Sequence, residues 1–208
     1  MDLLWFSFDM IGTIAFAISG ALIGVVKNLD IFGMMILAMA TAIGGGIVRD
    51  LLVGRLPPYS LQYPEYIVII IVVTLLIFAL YRTHSHRHVM GRWSRRSYIF
   101  ADTLGLASFT VTGASVGYIY APNLPIFVVL LGTITAIGGG IIRDILAQRL
   151  PSVLKEEVYA LPSIIGGALY YILIQQTTPI LSTYAAFLVV LTIRLLAVYH
   201  NWNLPKAR

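Results

Sequence analysis

Long apolar runs separated by short polar breaks divide the chain into seven segments, at about 3–26, 31–53, 66–81, 98–120, 124–147, 158–174 and 180–199. A run of about 20 predominantly apolar residues is long enough for a helix to cross the hydrocarbon core of a bilayer. The breaks carry turn or charge signals: Lys27-Asn28, Pro57-Pro58, the Arg/His run 82–96, Pro122-Asn123, Pro151 and the stretch 175–179. The pattern predicts an all-α integral membrane protein with seven transmembrane helices, forming one domain over residues 1–208.

The pattern also repeats. Residues 41–57 read TAIGGGIVRDLLVGRLP and residues 135–151 read TAIGGGIIRDILAQRLP, with 13 of 17 positions identical at an offset of 94. Upstream, Asp9, Gly12, Phe16, Gly20 and Gly24 match Asp102, Gly105, Phe109, Gly113 and Gly117 at an offset of 93. Steps of three and four residues keep each set on one side of a helix. The repeat unit therefore holds three spans, about 3–81 and about 98–174, followed by an extra helix at about 180–199. An odd number of spans makes the second unit enter the membrane from the opposite side, a plan of two inverted three-helix repeats used by transport proteins.

Composition supports the membrane reading: 59% of residues are hydrophobic and only 11% charged, against about a quarter charged in soluble domains. Without cysteine there is no disulfide framework and no thiolate chemistry. The net charge of +5 lies in membrane loops, which makes nucleic acid a poor partner. The first segment lacks a basic leader and a cleavage site, so it is expected to be a span and not a removed signal. Of 14 Lys and Arg, eleven fall on one side (Lys27, Arg82, Arg87, Arg92, Arg95, Arg96, Arg143, Arg149, Lys155, Lys206, Arg208) and two, Arg49 and Arg55, on the other, with Arg194 inside the last span. The positive-inside rule then places the C-terminus in the cytoplasm and the N-terminus outside.

The candidate chemistry sits in the repeated motif. Gly44, Gly45, Gly46 and Gly138, Gly139, Gly140 lie in the middle of apolar runs, where each glycine costs about 1 kcal/mol relative to Ala in a helix. Two such triplets at matching positions are expected to break or kink their helices, freeing backbone carbonyls that suit K+ or Na+. Close helix packing through small residues is the alternative. A phosphate loop is excluded, since no GK[ST] follows.

Arg49-Asp50 and Arg143-Asp144 come directly after the triplets. Neighbouring residues point about 100° apart on a helix, so each arginine is expected to pair with another helix. Asp9 and Asp102 are the candidates, each approaching the motif of the opposite half. Such pairs lock the fold, or form a charged lining or gate; intramembrane carboxylates also attract cations. Ser19, Thr41, Ser108, Thr110, Thr112 and Thr135 either line a polar path or bond their own helix backbones. Arg92, Arg95 and Arg96 are placed to touch anionic headgroups, and His84, His86 and His88 read as a solvated loop. No nucleophile–base pair stands out, so no enzyme activity, no cofactor and no metal beyond transient monovalent cations is expected.

Seven spans in two triplets, with GGG-x-x-R-D in the second and fifth, resemble the trimeric intracellular cation (TRIC) channels, in particular their prokaryotic members. The resemblance covers about residues 9–199. It implies a homotrimer in a bacterial or archaeal plasma membrane, with a pore in each protomer between the two glycine-kinked helices. It implies conduction of monovalent cations, chiefly K+. Bacterial members of this group are also described as glycine transporters, so a carrier of glycine or another small amino acid is the alternative function. A purely structural membrane protein leaves the doubled motif unexplained.

Overall fold

A computed structural model describes residues 3–83, 90–155 and 158–202. The side chains of His84, His86, His88, Arg87 and Arg92 lie outside the described residues. Among the described residues there are nine helices: α1 Leu3–Val26, α2 Ile31–Leu52, α3 Tyr59–Gln62, α4 Pro64–Thr83, α5 Met90–Tyr120, α6 Pro125–Leu146, α7 Ser152–Lys155, α8 Leu161–Ile174 and α9 Pro179–Tyr199. The helix starts follow from their first residues. Asp30 caps α2 by accepting the Gly33 N–H at 2.7 Å, Pro125 opens α6, and Thr178 with Pro179 opens α9.

Six of these helices are long and apolar enough to cross a membrane, namely α1, α2, α4, α5, α6 and α9. The seventh expected span is shorter than the pattern suggests. Residues 158–160 form a turn, and α8 starts only at Leu161, leaving 14 residues, about 21 Å of rise against a hydrocarbon core of about 30 Å. Two one-turn helices, α3 and α7, follow the repeated motifs and are not visible in the hydropathy pattern.

The ends of α2 and α6 explain one mismatch in the repeated motif. Gly54 (φ 72°) and Gln148 (φ 51°) both occupy the left-handed region just past a helix end. At each, the following N–H folds back to a helix carbonyl, Arg55 to Asp50 and Arg149 to Asp144, both at 2.8 Å. That is the usual device for ending a helix on a left-handed residue.

The core is built from reciprocal contacts. Helices α1 and α5 run antiparallel, and each presents a glycine to the other's phenylalanine. A Cβ on Gly105 would overlap the Phe16 ring, and one on Gly12 would crowd Phe109. The two rings meet edge to face at 5.2 Å. Further along, Gly20 lies against Ala38 and Thr41 of α2, and Gly113 lies in the matching way against Leu131 and Thr135 of α6. The glycine stripes are therefore packing surfaces.

The same holds at the centre. Helices α2 and α6 continue unbroken through both glycine triplets, which corrects the expectation that the triplets break the helix. The ladder survives because the glycines are used to bring backbones together. A Cβ on Gly45 would run into the Thr135 carbonyl, and one on Gly139 into the Thr41 carbonyl.

Gly105→Ala should lower stability by about 1–3 kcal/mol, the cost of overpacking a filled core. Pairing it with Phe16→Leu should restore part of the loss; thermal denaturation in detergent checks both.

Candidate functional site: two buried arginine–carboxylate networks

Each repeated motif ends in a buried cluster of charge. In the first, Arg49 is 1% exposed and Asp50 fully buried. Arg49 Nε donates to Asp50 Oδ1 at 2.8 Å, and Nη1 donates to Asp9 Oδ1 of α1 at 3.2 Å. The Tyr66 hydroxyl of α4 donates to the other Asp9 oxygen at 2.7 Å. The Tyr59 N–H, at the start of α3, donates to Asp50 Oδ2 at 2.7 Å. The guanidinium lies over the Trp5 ring, 5.2 Å from its centre. Arg55 approaches Asp50 at 3.7 Å from a partly exposed position.

In the second cluster, Arg143 Nε donates to Asp144 Oδ1 at 3.0 Å, and Nη1 donates to Asp102 Oδ1 of α5 at 2.5 Å. The Ser152 N–H, at the start of α7, donates to Asp144 Oδ2 at 2.8 Å. The guanidinium lies over Tyr98, 5.0 Å from the ring centre. Trp5 and Tyr98 are related by the same offset of 93 as Asp9 and Asp102. Unlike the first cluster, this one takes in a residue from the other half: Arg143 Nη1 also donates to Ser19 Oγ of α1 at 2.6 Å.

Two expectations are corrected here. Each arginine pairs with the aspartate of its own half, Asp9 with Arg49 and Asp102 with Arg143. The offset is preserved within a unit, so α1 and α2 of one unit dock as α5 and α6 do in the other. Intrahelical Arg-Asp pairs also form, because the long guanidinium arm bends back through Nε and spans the angle between neighbours.

The bidentate use of each guanidinium accounts for arginine at these positions; a lysine ammonium lacks the fixed fork. Each cluster holds two carboxylates around one fully buried guanidinium, with Arg55 also near Asp50 in the first, and the second carboxylate is stabilised by the backbone N–H of a one-turn helix. Outside the spans, burial and the neighbouring Tyr63 raise the Tyr59 phenol above its ordinary range, so that it remains neutral.

The predicted hydroxyl lining divides. Thr41 and Thr135 donate to their own helix carbonyls, Leu37 at 2.5 Å and Leu131 at 2.6 Å. Thr110 bonds Leu106 and also Ser163. Ser19 belongs to the second charge cluster, whereas Ser108 Oγ and Thr112 Oγ1 are buried without a partner. The third glycines of the triplets lie beside the guanidinium groups: a Cβ on Gly46 would come within 3.6 Å of Arg49 Nη2, and one on Gly140 within 3.6 Å of Arg143 Nη2. Sequence reasoning missed Trp5, Tyr66, Tyr98 and Tyr159, although all four obey the 93-residue offset. It also passed over Arg194, 5% exposed within α9, which donates to the Val158 carbonyl at 3.3 Å and lies over the Tyr159 ring at 4.8 Å.

A family model described as "Glycine transporter" matches residues 6–82 and again 99–175. The chain belongs to that family. Among its relatives are a UPF0126 membrane protein of Deinococcus radiodurans, 36% identical over 96% of this chain and 90% of that protein, and the UPF0126 inner membrane protein YadS of Escherichia coli K12, 34% identical over 95% of this chain and 93% of that one. The fold is that of the TRIC channels. A prokaryotic TRIC channel crystallised in 0.5 M KCl superimposes with a TM-score of 0.90 at 34% identity, covering 98% of this chain and 100% of that one. A TRIC trimeric intracellular cation channel orthologue from Rhodobacter sphaeroides superimposes with a TM-score of 0.86 at 28% identity, covering 97% and 100%.

Removing one partner of a buried ion pair costs about 3–5 kcal/mol, because the other charge is left uncompensated. Arg143→Gln should therefore lower thermal stability sharply, and Arg143→Gln combined with Asp102→Asn should lose less than the two single changes added together. Strict additivity in that double-mutant cycle would show that the pair is not coupled.

Proposed function

We propose that this protein is a cation channel that conducts chiefly K+ and works as a homotrimer with one pore per protomer. The observation that carries the proposal is the match, along 98% of this chain, to a protein solved as a prokaryotic TRIC channel. In this reading α8 crosses as a seventh, short span, and the chain forms two inverted three-helix repeats plus α9. The N-terminus lies outside and the C-terminus in the cytoplasm of a bacterial or archaeal plasma membrane. The permeant ions are K+ or Na+, membrane lipid surrounds the trimer, and no cofactor takes part.

The pore is bounded by α2 and α6. The crossing at Gly45 and Gly139 supports this, since two backbones in contact can seal a passage when close and open it when they shift or kink. The clusters Asp9–Arg49–Asp50 and Asp102–Arg143–Asp144 lie on the α2 and α6 turns that follow the crossing, where they serve as charged lining or gate. Their buried carboxylates favour cations, and Ser19, Thr41, Ser108 and Thr135 add polar lining as the helices move.

The name of the matching family supports a second reading, a carrier of glycine or another small amino acid. Such a carrier binds the substrate's carboxylate and ammonium at a helix break and saturates at low rates.

Purified protein in a planar bilayer under a KCl gradient is expected to give discrete current steps that reverse near the K+ equilibrium potential. A silent bilayer together with saturable glycine uptake into liposomes would overturn the channel reading. Gly46→Val should reduce unit conductance while leaving the trimer intact, because Gly46 faces only the Arg49 guanidinium. Gly45 is the poorer probe, since any side chain there pushes α2 off α6.

A further inference from the structure

The two charge clusters share their arginine and aspartate contacts but differ at one tyrosine. Tyr66 and Tyr159 stand 93 residues apart, as Asp9 and Asp102 do. Tyr66 donates to Asp9 Oδ2 at 2.7 Å. Tyr159 is 2% exposed, yet its hydroxyl makes no hydrogen bond. That hydroxyl occupies the notch left by the missing side chain of Gly140, where a Cβ would lie 2.9 Å from it. The matching notch at Gly46 is clear, with nothing nearer than the Arg49 guanidinium at 3.6 Å. Arg143 Nη2 is likewise buried without a partner, and Ser19 is drawn into hydrogen-bond range of Asp102 Oδ1 at 3.4 Å. A buried polar group left unbonded is costly, and here two face the same notch at Gly140.

From these contacts we infer that Tyr159 is the gate of the second half. In the arrangement described, its hydroxyl fills the Gly140 notch beside the α2–α6 crossing and the path is closed. In the conducting arrangement the hydroxyl leaves the notch and donates to Asp102, as Tyr66 does to Asp9, and Ser19 is released from the cluster. The first half already shows the end state: tyrosine on the carboxylate, notch clear. Arg194 sets the balance. It stacks on the Tyr159 ring at 4.8 Å and holds the Val158 carbonyl at 3.3 Å, so α9 buttresses this tyrosine. This inference rests on the channel reading for its consequence, but the tyrosine's movement can be observed separately.

Single-channel recording and 19F NMR of the full-length protein carrying 3-fluorotyrosine at position 159 test it together. Gly140→Ala expels the hydroxyl from the notch and should raise open probability severalfold, while its own methyl, sitting in the same notch, lowers unit conductance as Gly46→Val does. Tyr159→Phe keeps the ring and loses the bond to Asp102; it should lower open probability severalfold. Tyr199→Phe, an exposed tyrosine at the end of α9 outside both clusters, should leave gating within twofold of wild type. The fluorine signal should report two environments, with the minor one enriched by Gly140→Ala. If the wild type is silent but the two environments exchange populations as stated, the switch stands and the channel reading falls. A single environment unmoved by Gly140→Ala, or Gly140→Ala and Tyr159→Phe shifting open probability in the same direction, overturns the gate.

Discussion

A guanidinium buried inside a helix bundle in lipid must meet carboxylates, and this chain meets that demand twice, at Arg49 and Arg143. Much of the architecture follows. One carboxylate comes from the next residue of the same helix and the other from the preceding long helix, which fixes the register of α1 on α2 and of α5 on α6. Because two carboxylates face one guanidinium, the second needs further donors. The chain supplies them by ending α2 and α6 on a left-handed residue and folding back so that the N–H of Tyr59 or Ser152 reaches Asp50 or Asp144. The one-turn helices α3 and α7 are thus consequences of the charge cluster. Breaking either pair leaves an unpaired charge at the centre of the fold.

Close helix approach is the second constraint, and it serves the first. A guanidinium arm reaches a neighbouring helix only if the axes are near. The glycines at positions 12, 20, 45, 105, 113 and 139 bring the axes together by removing side chains at each contact. Lipid offers no hydrophobic drive to push helices together, so small-residue contact and buried polar pairs carry the association. The Phe16–Gly105 and Phe109–Gly12 exchange keys the two halves to each other at the same depth.

Most of this was legible in the sequence. Hydropathy marked the long helices, and the repeated residues marked both clusters. What was not legible has physical causes. Length in an apolar run does not reveal where a turn delays a helix, so α8 was read as longer than it is. Helical angles alone argued against an Arg49–Asp50 contact, because they ignore how far a guanidinium arm can bend back. Propensity alone makes the triplets breaks, whereas tertiary contact between α2 and α6 repays their cost and keeps the ladder whole. Tyr66 and Tyr159 do not stand out in the sequence because aromatic residues at span ends are commonplace; only the offset sets them apart.

The differences between the halves bear on channel against carrier. A carrier built from inverted repeats works by letting the halves exchange conformations, so that each in turn adopts the other's arrangement. Some asymmetry of shape in one conformation is then expected, and such repeats also differ in sequence; what matters is whether the residues that hold each half have a counterpart in the other. Here residues differ. Ser19, which joins the second cluster, corresponds to Thr112, whose hydroxyl is unbonded, and Arg194, which stacks on Tyr159, comes from α9, outside both repeats. Among the described residues the first cluster holds no contact that matches Ser19 on Arg143 or Arg194 on Tyr159. A bundle in which one half is locked and the other is separately buttressed is suited to a pore gated at one end.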